Sequence, residues 1–89
     1  MTIALPPPQT PLYNHPLPAL EAWLGELGSA QSRLNPSHWD LHRPLWSATI
    51  ELEAASFTVR WQQQGTVAVR QFPYGLSRAD AEAAILAGP

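Results

Sequence analysis

Three groups of side chains in this 89-residue chain are of types that do chemistry. His38, Asp40 and His42 alternate, so on a strand they share one face. Both types bind metals. Yet ligands spaced about 7 Å apart along a straight strand do not converge on one ion without a fourth element. The trio therefore reads as a solvated edge, and no metal site is expected. Glu51, Arg60 and Arg70 fall together on the polar side of the strands derived below. A carboxylate used for acid–base work needs a cleft that perturbs it, which a wet sheet face does not supply. Five scattered glycines make no phosphate loop, and no Ser-His-Asp arrangement stands out. A chain this small leaves little room for a deep pocket. No catalytic residue, no cofactor and no enzyme activity are expected.

The third group is aromatic. Energy at protein interfaces concentrates in a few aromatic and arginine residues. Trp23 and Trp61 fall on apolar stripes and read as packing residues, whereas Trp39 and Trp46 flank an irregular segment and read as partly exposed. Phe72 falls on the wet face by alternation. Tyr74, between Pro73 and Gly75, is a ring and hydroxyl held at low entropic cost. Tyr13, Arg60, Arg70, Phe72 and Tyr74 are thus the candidate partner-binding residues. Formal net charge is -2, with five Arg and no Lys. That excludes the large cationic field on which nucleic-acid binding depends. There is no cysteine for a disulfide or thiolate site. No apolar run approaches the roughly 20 residues of a membrane span, and Met1 to Pro6 lacks the pattern of a secretory signal. A cytoplasmic protein with a protein partner is the expectation.

The elements that must position these residues follow from pattern. Six of ten prolines lie between Pro6 and Pro18, which excludes helix or inner strand from Leu5 to Leu17. Pro6-Pro7-Pro8 reads as a polyproline II leader, and the apolar segment Pro11 to Pro16 as lying across the domain. Residues 1–10 are assigned to the leader and 11–89 to a single domain. Leu20, Trp23, Leu24 and Leu27 recur at helical spacing, so the pattern predicts a helix from Pro18 to Leu27, stopped by Gly28. Trp39 and Leu41 suggest a short strand ended by Pro44. Three clearer strands follow, carrying Trp46, Ala48, Ile50 and Leu52, then Phe57, Val59 and Trp61, then Val67 and Val69 on their apolar faces. A tight Ala54-Ala55 connection pairs Leu52 with Phe57, Ile50 with Val59 and Ala48 with Trp61. A three-residue loop, Gln63-Gln64-Gly65, pairs Trp61 with Val67 and Val59 with Val69. A two-residue loop sets Val59 opposite Arg70 instead, and the face argument disfavours it. Ser77 caps a second helix, with Asp80 in its first turn and Ala81, Ala84 and Ile85 on its inner face.

The fold class is therefore α+β: a two-layer sandwich of order α-(β)-β-β-β-α. Its antiparallel sheet has three to four strands, with two helices on one face.

Two segments carry a resemblance. Thr10-Pro11-Leu12-Tyr13-Asn14-His15-Pro16-Leu17-Pro18-Ala19-Leu20-Glu21-Ala22-Trp23-Leu24 and Phe72-Pro73-Tyr74-Gly75-Leu76-Ser77-Arg78 resemble the signature segments of a small-domain family of cyanobacteria and plastid-bearing organisms. That family is catalogued as domain of unknown function 3143. The resemblance implies an intracellular protein of a photosynthetic lineage and no catalytic residue, substrate or cofactor. The α-β-β-β-α order is also similar in topology to double-stranded RNA-binding domains, which place a lysine cluster at the start of the last helix. Here that stretch offers Arg78 beside Asp80 and Glu82. The function expected is a non-catalytic interaction module, an assembly factor or adaptor, with an RNA-associated domain as the alternative.

Overall fold

A computed structural model describes residues 5–89. A single 3-10 turn, Leu12–Asn14, breaks the proline-rich segment and drives Leu12 into the core. Helix α1 then spans Leu17–Glu26, one residue earlier than the pattern predicts, with Pro18 in its first turn where the missing N–H is not needed. Ala19, Trp23 and Leu24 face inward. The helix ends at Gly28, whose φ of +99° places it in the left-handed region and lets the Ser29 N–H reach back to the Leu24 carbonyl at 3.2 Å.

Five antiparallel strands follow in meander order: β1 (Ala30–Gln31), β2 (His38–His42), β3 (Ser47–Leu52), β4 (Ser56–Gln63) and β5 (Thr66–Pro73). The sheet is wider than expected because the short strand through Trp39 is present and a two-residue β1 pairs with it, Gln31 opposite Trp39. Trp39 is buried as a result rather than partly exposed. Between β3 and β4 the register is the expected one: Leu52 faces Phe57, Ile50 faces Val59 and Ala48 faces Trp61. These residues, with Leu41 and Trp39 of β2, form one apolar face.

The β4–β5 hairpin differs from expectation. Its loop is the two-residue Gln64-Gly65, so Gln63 pairs with Thr66, Trp61 with Ala68, Val59 with Arg70 and Phe57 with Phe72. Both loop residues have positive φ, 50° and 82°. That is the mirror-image turn whose twist matches the right-handed twist of the strands. Alternation does not fix the faces of β5, because at this edge strand even the helix-side Arg70 stays exposed and burial imposes no side on it. Shifting the register buries the large Phe72 ring, which stabilises by about 1.5–3 kcal/mol. In return, Val67 and Val69 stay 54% and 52% exposed.

Helix α2 (Arg78–Leu86) closes the domain over the apolar face. The Ser77 hydroxyl accepts from the Asp80 N–H at 3.1 Å, the expected cap. Ala81 and Ile85 are fully buried. The Trp61 indole N–H donates to the Ile85 carbonyl at 3.1 Å, and that of Trp23 donates to Glu82 Oε1 at 3.0 Å, joining sheet to helix and helix to helix.

Gln64→Asn is expected to stabilise the domain by about 0.5–1 kcal/mol, since Asn accepts positive φ more readily than Gln. Gly65→Val is expected to lose about 1–2 kcal/mol, chiefly to backbone strain, because a Cβ added there meets nothing within 4 Å. Thermal denaturation followed by circular dichroism checks both. An unchanged melting temperature in Gly65→Val would refute this reading of the turn.

Candidate functional site

Pleating divides the sheet into a covered face and an outer one. The outer face carries His38, Asp40 and His42 of β2, Thr49 and Glu51 of β3, Thr58, Arg60 and Gln62 of β4, and Val67, Val69 and Gln71 of β5. One row runs Asp40, Thr49, Arg60, Val69 across four strands. All the buried sheet residues lie on the other side, where both helices pack. The outer face is therefore polar over β2 to β4 and turns apolar at Val67 and Val69.

The structure divides the candidate partner-binding residues. Arg60 is exposed on the outer face, as expected, with Glu51 as its diagonal neighbour. Arg70 is not beside it. The two-residue turn puts Arg70 on the helix-side face opposite Val59, with its guanidinium carbon 5.0 Å from the Phe72 ring centre. A Glu51-Arg60-Arg70 cluster consequently does not form. Phe72, expected on the wet face, is 6% exposed and stacks on Phe57 with ring centres 5.2 Å apart. Tyr13 is 66% exposed, and its backbone N–H is bonded to the Tyr74 carbonyl at 3.0 Å.

Tyr74 is half-buried and tied down. Its ring centre lies 5.9 Å from that of Phe57, and its hydroxyl donates to the Glu53 carbonyl in the β3–β4 turn at 2.6 Å. Burial pushes the phenol above its ordinary pKa of 10.0, and the nearby Glu53 charge adds to this. Tyr74 thus anchors the end of β5 to the β3–β4 turn. It also forms one wall of a groove of about 330 Å³ whose other walls include Leu17, Leu20 and Leu52.

His38, Asp40 and His42 alternate along β2 as expected, but they have separate neighbours. His38 Nε2 is 3.2 Å from the Asn35 amide nitrogen, and Asp40 accepts from the Thr49 hydroxyl at 3.2 Å. Among the described residues no three His, Cys, Asp or Glu side chains come together as a metal site. Among the described residues no helix is long and apolar enough to cross a membrane.

Residues 27–88, more than half of the chain, match the family described as "Protein of unknown function (DUF3143)". The chain belongs to this family. Its matched segment contains the whole five-stranded sheet and α2, whereas Thr10 to Leu24 lies outside it. No curated protein and no solved structure matches the chain.

In this DUF3143 member the exposed residues that sequence reasoning missed are Val67 and Val69. The signal was the Gln64-Gly65 pair, since two positive-φ residues between strands point to a two-residue hairpin.

Tyr74→Phe is expected to lower stability by about 1 kcal/mol at neutral pH through loss of the bond to Glu53. The folded phenol keeps its proton to a higher pH than the unfolded one. Its contribution is therefore complete below pH 10 and lost as pH rises through the folded value. Urea titrations at neutral and strongly alkaline pH should show the wild type losing its advantage over Tyr74→Phe. A constant gap between the two would refute the linkage.

Proposed function

We propose that this chain is a non-catalytic protein-interaction module, acting as an adaptor or assembly factor, that presents its uncovered outer sheet face to a protein partner. The observation that carries this reading is the contiguity of half-exposed Val67 and Val69 with Arg60 on a face that no helix of the described residues covers. Interfaces have apolar centres enriched in Arg with polar rims, and Thr49, Thr58 and Gln62 supply such a rim here. Tyr13 stays exposed past the end of β5, where its N–H bonds the Tyr74 carbonyl.

The test uses a partner captured on the wild-type chain from an extract of its source cell and then purified. Val67→Glu combined with Arg60→Glu should weaken its binding by about 2 kcal/mol or more, roughly thirtyfold. The melting temperature should stay nearly unchanged, because both side chains are exposed. Equal affinity for variant and wild type would refute the outer face as the interface.

The alternative, an RNA-associated domain, finds little support at the start of α2. The Arg78 guanidinium donates to the Pro6 carbonyl at 2.9 Å rather than standing free for a phosphate, and Asp80 and Glu82 follow it. No measurable binding of short duplex RNA is expected at physiological salt. A gel shift at micromolar protein or below in that buffer would reverse the order of the two readings.

A further inference from the structure

The free edge of β5 follows from hydrogen-bond parity. The Glu53 N–H bonds the Ser56 carbonyl at 2.9 Å, so Ser56 and the residues alternating with it along β4 point their backbone groups at β3. Phe57, Val59, Trp61 and Gln63 then point theirs at β5, to Phe72, Arg70, Ala68 and Thr66. Val67, Val69 and Gln71 are left with N–H and C=O directed outward. Pro73 shares their parity and has no N–H to offer, and an outward edge position is where a strand tolerates proline. Among the described residues nothing pairs with this edge, since β5 is terminal in the sheet.

Natural edges of this length are usually blunted by charge, bulges or cover. Here Arg70 is the one charged residue of the strand. Just past β5, the chain's own leader already docks by main-chain bonds, made from Pro11 and the first residues of the 3-10 turn. The Leu12 N–H bonds the Leu76 carbonyl at 2.9 Å, Tyr13 bonds Tyr74 at 3.0 Å, and Pro11 bridges Ser77 in antiparallel fashion. The 3-10 turn at Leu12–Asn14 then turns that segment away into α1, leaving Val67 to Gln71 open.

We infer that the β5 edge is a β-augmentation site for an extended, acidic peptide segment of a partner protein. The inference rests on the interaction-module reading but uses the main-chain edge rather than the outer face. Charge selects the occupant. Arg70 lies at the seam on one face, and on the other Arg60 stands one strand in, directly behind Val69; each is opposite neutral residues, and β5 itself has no carboxylate. A second copy would bring the same cations to the seam. An acidic strand brings a carboxylate to each face through two adjacent Glu residues, because neighbouring side chains alternate. Its backbone supplies the affinity and its carboxylates the choice of partner.

The test is fluorescence anisotropy of a labelled peptide, Thr-Val-Glu-Glu-Val-Thr, on the whole chain. Three controls accompany it: the Lys-Lys analogue, the same peptide methylated at every backbone nitrogen, and sedimentation equilibrium of the chain alone. The expected result is that the acidic peptide binds and backbone methylation weakens it at least tenfold. Val69→Pro, which removes one outward donor, should do the same. Arg70→Glu should reverse the preference between Glu-Glu and Lys-Lys peptides. No binding of the acidic peptide, equal binding of the methylated one, or equal binding of the Lys-Lys analogue would overturn the proposal. A dimer that Val69→Pro converts to monomer would also overturn it, in favour of a second copy. The methylated peptide tests the edge without altering the protein. Loss of the edge leaves the outer-face result with Val67→Glu and Arg60→Glu standing, so the two readings fail separately.

Discussion

The two residues Gln64 and Gly65 set what the last strand presents to each side of the molecule. With positive φ at both, β4 and β5 close on a two-residue loop. Because side chains alternate strictly, every later residue of β5 then has its face assigned. Phe72 goes to the core and Arg70 to the helix side, while Val67 and Val69 face outward. One extra loop residue would exchange all four. The turn is therefore the constraint on which both the hydrophobic core and the outer surface depend.

The covered side converts that register into stability. Phe72 lies between Phe57, stacked at 5.2 Å, and Trp61, met edge-on at 6.4 Å. Trp61 in turn donates its indole N–H to the Ile85 carbonyl, so its ring is buried without an unpaired donor and α2 is held at its C-terminal end. The leader holds the other end of that helix, where the Arg78 and Ala79 N–H groups bond the Thr10 and Pro8 carbonyls. These donors belong to the helix start and have no partner within the helix. A small domain gains apolar burial from Leu12 in the same stroke, and the proline-rich stretch becomes a strap on the sheet's helix layer.

The open side has the opposite character. A sheet with helices on one face only leaves half its side chains to water, and this face is accordingly polar from β2 to β4. Its apolar margin and free backbone edge coincide at β5, because both follow from the same parity. That coincidence gives the face and the edge a common location, and Arg60 and Arg70 flank it on either side.

Much of this was legible in the chain. Helix α1 showed through the spacing of Trp23, Leu24 and Leu27, α2 through its Ser77 cap, and the β3–β4 register through two matched alternating patterns. Each of these signals is local or joins neighbouring segments, and each opposes an apolar face to a polar one. Strand β1 was not legible, since two residues carry no period, and its existence depends on pairing with β2. The β5 register was misread because alternation predicts a face only where a layer waits to cover it. On an edge strand the competition lies between burying one aromatic ring and burying two valines, and only the assembled core decides it. The sequence by itself determined the helices, the central strands and the absence of a strongly cationic surface. The tertiary structure alone decided which residues of β5 reach water, because that choice rests on packing against Phe57 and Trp61 and on the backbone angles of one turn.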